Sequence, residues 1–423
     1  MEQTISIVIF LAVIALIVSE KIHEAAAAFI GAAALLLVGV LDIESAASYI
    51  DYNTVGVLVG MMVFVAVIKN SGMFEYIAIK SAKIAKGDPW RIMVLFTIVT
   101  AVLSAFLDNV TTVLLIGPMT ISITGILGLN PIPFLLTQVM ASNIGGTSTL
   151  IGDPPNIMIG SAAGFSFMDF VVNLAPCIII IMVVLILMMK FLFKKSLIVD
   201  EASIKKVMLL DENKAIEDKG LLKKSVIMIV IVVVGFVLHS QIGIESGTIA
   251  ITAAAVMLLI GKQDVEEIIA DIEWTTIVFF IGLFVVVGGM VETGVVNELA
   301  NFVISLTSDK PIMTMLVLLW ASALLSTILN NIPFVAALIP LITVMGEQGI
   351  DIIPLWWAIS LGACLGGNGT LVGASANIVI ANISSKHGHP ISFKEFAKLG
   401  FPVMLISTII STVYLVVRYG ILY

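Results

Sequence analysis

The chain has 423 residues, 60% of them apolar and only 12% charged, where soluble domains have roughly 45–50% and ~25%. That balance excludes a water-soluble domain. A net charge of −8 with no basic face excludes nucleic acid as a partner, and two widely separated cysteines, Cys177 and Cys364, make neither a zinc cluster nor a disulfide framework and read as small core residues.

In chain order, ten apolar runs approach the ~20 residues that cross ~30 Å of hydrocarbon: 4–19, 25–41, 53–68, 91–107, 169–189, 224–238, 247–260, 274–291, 311–329 and 398–417. The first lacks the basic flank and small-residue cleavage site of a signal peptide and reads as a retained helix. The stretches 108–127, 132–160, 331–346 and 352–383 are also apolar but are broken by Gly, Pro, Asn and Thr. They read as interrupted helices or re-entrant hairpins, which survive at membrane depth only where protein or a water-filled cavity satisfies the backbone. Fifteen of the charged residues crowd between Lys190 and Lys224, marking a polar linker. The expected fold is an all-α polytopic membrane protein with the lipid bilayer as its first partner.

The chain repeats itself. At an offset of 222, Leu103–Asn109 falls on Leu325–Asn331, Pro118 on Pro340, Thr54 on Thr276 and Gly72 on Gly294. After one deletion, Gly145-Gly146-Thr147-Ser148-Thr149-Leu150-Ile151-Gly152 falls on Gly366-Gly367-Asn368-Gly369-Thr370-Leu371-Val372-Gly373, and Asn156 on Asn377. A colinear series of this kind indicates duplication. The loop after the third run carries Lys69, Lys80, Lys83, Lys86 and Arg91 against Glu75 and Asp88, which by the positive-inside bias is cytoplasmic. Its counterpart carries Lys310 against Glu292, Glu298 and Asp309, and belongs on the other face. The organisation expected is therefore a first inverted repeat at 1–189, a cytoplasmic Lys-rich linker at 190–223 and a second inverted repeat at 224–423, in the cell membrane, with both ends external. Inverted repeats with paired discontinuous helices are the architecture of secondary transporters, whose sites lie where the broken helices meet.

No Lys or Arg lies between Arg91 and Lys190 or between Lys310 and Lys386. Those regions do hold Asp108 and Asp153, each costing roughly 2.5–3.5 kcal/mol at a helix centre. Either caps a broken helix or carries a proton or cation; their repeat counterparts, Asn330 and Ala374, confine ionisable chemistry to the first copy. Around them stand Asn109, Thr111, Ser142, Asn143, Thr147, Thr149 and Asn156, answered in the second copy by Asn330, Asn331, Asn368, Thr370, Ser375 and Asn377. Such oxygens are hard ligands for Na⁺ or hydrogen-bonding partners for a small hydroxylated solute. The Gly-Gly stretches lack the terminal Gly-Lys-Ser/Thr of a nucleotide loop, so ATP-driven pumping would need a separate ATPase subunit. Gly56 and Gly60 read as ordinary helix packing. No cofactor is called for beyond H⁺ or Na⁺ as coupling ion, and no metal motif or nucleophile–base pair suggests an enzyme.

At Leu107-Asp108-Asn109-Val110-Thr111-Thr112, Ser142-Asn143-Ile144-Gly145-Gly146-Thr147 and Ile151-Gly152-Asp153-Pro154-Pro155-Asn156, the sequence resembles the ion transporter superfamily, nearest its ArsB and melanosomal P protein branch. It is more distantly similar to NhaD-type sodium–proton antiporters and divalent-anion–sodium symporters. The resemblance implies a scaffold domain and a mobile transport domain, an elevator type of alternating access and a homodimer. It also implies Na⁺ sites at Asn109 with Gly152 and at Asn331 with Gly373. Asp108 stands where the symporters have Ser, and Pro333 where they have Thr, which argues against sodium-coupled dicarboxylate uptake. Two acids without a local base suit a neutral or cationic cargo better than a multivalent anion. The leading expectation is proton-motive-force-coupled efflux of a small metalloid or oxyanion such as arsenite or antimonite, with Asp108 and Asp153 as coupling groups. The alternatives are Na⁺/H⁺ antiport and sodium-coupled symport of an organic anion such as citrate.

Overall fold

The computed structural model describes residues 1–19, 21–307 and 310–421, and among these it contains helices and no strand. Asp309, used above to orient a loop, lies outside them. The first repeat contributes α1 (Glu2–Val18), α2 (Glu24–Leu37), α3 (Ile43–Ser48), α4 (Tyr52–Lys69), α5 (Met73–Ile84), α6 (Pro89–Phe106), α7 (Asn109–Leu127), α8 (Ile132–Gly146), α9 (Pro154–Ala163) and α10 (Phe167–Phe193). The linker carries α11 (Glu201–Met208). The second repeat contributes α12 (Lys219–Ile242), α13 (Ser246–Gly261), α14 (Val265–Ala270), α15 (Trp274–Glu292), α16 (Val295–Thr307), α17 (Pro311–Ile328), α18 (Asn331–Glu347), α19 (Ile353–Gly366), α20 (Ser375–Lys386) and α21 (Phe393–Leu415).

Local chemistry sets the boundaries. Asp51, Asp88 and Asp218 accept backbone N–H groups at the starts of α4, α6 and α12, and Ser166 with Asp169 forms a capping box on α10. Pro89 and Pro311 open the equivalent helices α6 and α17, where a missing N–H costs nothing. Both then end at the same kind of break: Leu107 and Leu329 are extended, and the chain restarts as α7 and α18. A second pair of breaks, at 147–153 and 367–374, separates α8 from α9 and α19 from α20, with Asp153 and Ala374 extended.

Polar contacts orient the helices. Lys69 pairs with Asp271 at 3.0 Å, and Lys80 and Lys83 both pair with Glu212 of the linker. The ends of α4 and α5 and the start of α15 therefore share the linker face. On the opposite face Gln3 meets Glu298 at 3.3 Å, Tyr49 donates to Glu292 at 2.6 Å, and the Phe167 N–H meets His239 at 3.2 Å. Gly87, just before α6, lies against Ile204 in α11, and α7 also packs on α11. The α6–α7 pair thus enters and leaves on the linker face. Its counterpart α17–α18 opens the other way, with Gln348 beyond α18 donating to Asn301 of α16 at 3.0 Å. The runs 91–107 and 311–329, expected as full spans, are instead first arms of re-entrant hairpins; at 18 residues each they have the length and apolarity of a crossing but turn back at Leu107 and Leu329. Each repeat crosses by its first two long helices, by α4 or α15, by a broken helix and by α10 or α21. That odd number inverts the second copy.

The repeats interlock. Helix α4 runs parallel to α13 and α2 runs parallel to α15, each pair joining one repeat to the other. Gly60 sits where a Cβ would come 2.4 Å from the Ala250 backbone, and its counterpart Gly282 where one would come 2.8 Å from Ala28. Small residues permit these close parallel crossings. These pairs, with α1 and α12, form one body. The hairpins, the broken helices, α10 and α21 form another, tied across repeats by α7 with α20 and α9 with α18. Trp357 of α19 stacks on Phe165 at 4.6 Å and meets Phe170 edge-on at 5.2 Å, contacts of about 0.5–1.5 kcal/mol each beyond burial.

Candidate functional site

The hairpin tips and helix breaks converge at the centre of the molecule. At the first tip Asp108 caps α7, accepting the Thr111 N–H at 2.8 Å and the Thr111 hydroxyl. Asn109 donates to Asn143 Oδ1 at 3.1 Å, and Ser142 donates to the Asn109 carbonyl at 3.1 Å, which seats the tip on α8. Asn143 in turn donates to Asn368 and Asn377, both at 3.0 Å, so one amide joins the breaks of both repeats.

The breaks are held by their own side chains. Asn156 donates to the carbonyls of Thr147 and Thr149 at 3.0 and 2.8 Å, and Asn377 to those of Gly367 and Thr370 at 2.7 and 2.9 Å. Thr149 donates to the Ala105 carbonyl, Thr370 to the Thr327 carbonyl and Thr147 to the Asn143 carbonyl. Gly152 and Gly373 let the chain pass close: a Cβ would stand 2.5 Å from the Gly146 carbonyl oxygen in one and 2.7 Å from that of Gly367 in the other. Asn156 Oδ1 already accepts from Ser360 at 2.6 Å and from the Cys364 thiol. These residues build the unwound turns and face one another rather than open space.

A smaller set surrounds a cavity of about 20 Å³, room for a single water-sized species, lined by Asp108, Asn109, Asp153, Asn331, Ser375 and Glu273 among others. Asp153 starts α9 but makes no capping bond; its Oδ1 instead accepts from Asn331 of the second repeat at 3.3 Å. Its Oδ2 is buried without a well-formed hydrogen bond among the described residues, the Cys364 thiol of α19 lying beside the carboxyl as a weak donor. Asn330 bridges Ser375 at 3.0 Å and Glu24 at 3.1 Å. The amides of Asn109 and Asn331 spend their Nδ2 groups on Asn143 and Asp153, which leaves both Oδ1 atoms unbonded among the described residues.

Two acids were not expected here. Glu273, at the start of α15, accepts from Thr276 at 3.2 Å and lines the cavity, and Glu24, at the start of α2, lines the adjoining vestibule. Ionisable chemistry is therefore not confined to the first copy: Glu273 comes from the second, because the parallel α2–α15 pair brings its end beside the first hairpin tip. The signal available was the alignment of Thr276 with Thr54, which sets Glu273 on Asp51, another cap acid.

The cavity adjoins a vestibule on one face only. This vestibule of about 560 Å³ shares Glu273, Thr276, Ser375 and Val110 with it and is lined by the ends of α1 and α17 and the starts of α2, α15 and α20. On the opposite face a cavity of about 310 Å³ is lined by Asp51, Ser161 and apolar residues of α15 and α18, and shares no lining residue with the acid cavity.

A membrane protein with duplicated halves, paired helix breaks and a buried acid cavity adjoining a vestibule on one side has the construction of a secondary transporter. The chain belongs to the citrate transporter family, CitMHS, whose model matches residues 14–362. An uncharacterized transporter of Mycobacterium tuberculosis is 42% identical over 99% of both chains. Human P protein is 32% identical over 99% of this chain and 60% of its own length. In fold the chain is similar to the YdaH transporter of Alcanivorax borkumensis, with a TM-score of 0.60 and 15% identity over 89% of this chain and 87% of that one.

Proposed function

We propose that this secondary transporter is proton-coupled, with Asp108 and Asp153 carrying the coupling ion and a small metalloid hydroxide such as arsenite or antimonite as the exported cargo. The carrying observation is that Asp153, whose Oδ2 has no well-formed hydrogen bond among the described residues, lines a cavity that also bears Asp108 and Glu273 and is lined by no cationic side chain. A buried carboxylate oxygen without a well-formed hydrogen bond is costly, so it invites a proton or a cation. The Asn109 and Asn331 oxygens, with Ser375, supply hydrogen-bonding or coordinating groups beside it.

The small volume of the cavity favours a second reading, Na⁺/H⁺ antiport, in which one ion alternates with protons on Asp153 and Asp108. The family's description raises citrate as a third. A free tricarboxylate would meet Asp108, Asp153, Glu273 and Glu24 with only the His23 imidazole of the vestibule to offset them, so it would need protons or a bound cation to neutralise it. In all three readings the linker face is cytoplasmic, the site lies in the cell membrane, and the hairpin-bearing body moves against the α1–α4 and α12–α15 body, in a homodimer.

Purified protein in vesicles with an imposed pH gradient tests this. Proton flux that requires arsenite or antimonite is the expected result. Flux triggered by Na⁺ alone selects the antiporter, and citrate-dependent flux overturns both.

A further inference from the structure

Asp51 and Glu273 are equivalent positions of the two repeats, each at the start of an equivalent helix and each accepting from the threonine three residues on, Thr54 or Thr276. They open on opposite faces: Asp51 lines the 310 Å³ cavity and Glu273 the 560 Å³ vestibule. Their surroundings correspond too. Ser161 of α9 lines the first, and Asn382 of α20, its counterpart, lines the second.

What differs is whether the pair is closed. Ser161 donates to Asp51 Oδ1 at 2.9 Å, and Asn53 donates to Ser161 at 3.3 Å, fastening the moving body's α9 to the static α4 on the face where the acid cavity is shut. On the open face Asn382 is exposed and makes no hydrogen bond to Glu273 among the described residues. The Asp51 cap bonds to Asn53 and Thr54 account for that acid's presence at a helix start, but not for a bond from another body.

We infer that Asp51–Ser161 is a closed gate, and that Glu273–Asn382 is its mirror image, which forms on the linker face when the opposite face opens. In an inverted repeat the alternate state is reached by exchanging the two copies' conformations, so each acid is released when the other is engaged. The linker-face acid is then free to meet an incoming or departing ion while the other is occupied. This rests on the transporter reading above but not on its cargo.

Accessibility in vesicles tests it, using S375C as reporter, since Ser375 lines both the acid cavity and the vestibule. Cys177 and Cys364 are buried and serve as background. An impermeant maleimide is applied from the linker face. Oxidising a D51C/S161C pair should cross-link it readily and leave S375C labelling undiminished. Cross-linking an E273C/N382C pair should slow labelling at least tenfold, with recovery on reduction. Failure of the second pair to cross-link, or labelling undiminished after it has, overturns the proposal. Single substitutions give an independent arm: S161A should slow labelling severalfold, S161T should restore it, and N382A should not slow it. Equal labelling in S161A and the parent overturns the gate. No transported solute is needed, so loss of the proposed proton coupling with an intact labelling pattern would remove that reading and leave the gate.

Discussion

Asp108 and Asp153 stand at neighbouring breaks yet spend their oxygens differently. Asp108 is satisfied locally by Thr111, so it serves as helix cap as well as cavity wall. Replacing it with Asn should keep the cap and cost at most a few tenths of a kcal/mol, whereas Ala should cost about 1 kcal/mol. Thermal unfolding in detergent would separate the two, and both should lose proton-coupled flux. Asp153 has one oxygen on Asn331, while the other has no well-formed hydrogen bond among the described residues and has only the weak donor of the Cys364 thiol beside the carboxyl. Asp153→Asn should therefore abolish coupling while leaving the unfolding midpoint unchanged or raised, because a buried charge is removed while the Asn331 donor keeps an oxygen to bond. A lowered midpoint would show that Asp153 is structural. Both aspartates were legible in the sequence as rare acids in long base-free stretches. Glu273 was not, since an acid at the edge of an apolar run reads as an interfacial cap, and only the packing of α15 beside the first tip carries it inward.

At the scale of elements, what hydropathy could not disclose was direction. An arm of 18 apolar residues is as long as a crossing, and only the Asp-Asn and Asn-Asn breaks at its end hinted that α6 and α17 turn back. The Gly56 and Gly60 spacing read as helix packing without its partner, which is α13 of the other repeat. Gly60→Ala should force α4 from Ala250 and destabilise by about 1–3 kcal/mol. Gly125→Ala in α7, where nothing lies within 4 Å, should be neutral or stabilising by up to about 1 kcal/mol. The linker is docked through Glu212. The Lys83 ammonium, with the Glu212 backbone and Lys80, holds this carboxyl down to about 2. Because the folded value is depressed, the contribution is complete above about 4.5 and is lost as pH falls toward 2. Pepsin should cut residues 201–217 faster across that fall in the native protein than its own activity profile explains. In Glu212→Gln the excess should vanish, and trypsin at neutral pH should cut the segment faster.

The whole molecule was the most legible level, because duplication preserved the residues that break helices. Asp108-Asn109 over Asn330-Asn331, and Gly152 over Gly373, located the second copy before any helix was placed. Inversion followed from lysines near one loop, and two of them, Lys80 and Lys83, grip the linker. Epitopes fused to either end should be digested from the face opposite the linker, as protease protection in sealed vesicles would measure.

The swapped partnership of α2 with α15 and α4 with α13 has a consequence for biosynthesis. Until α15 emerges, α2 is covered by α1 alone and its Ala28 face lacks a partner, and α13 likewise needs the earlier α4. Severed within 197–200, the two pieces should be degraded when made alone yet copurify when made together. The connecting peptide would then be a convenience of synthesis, and the mutual embrace of the halves the true bond.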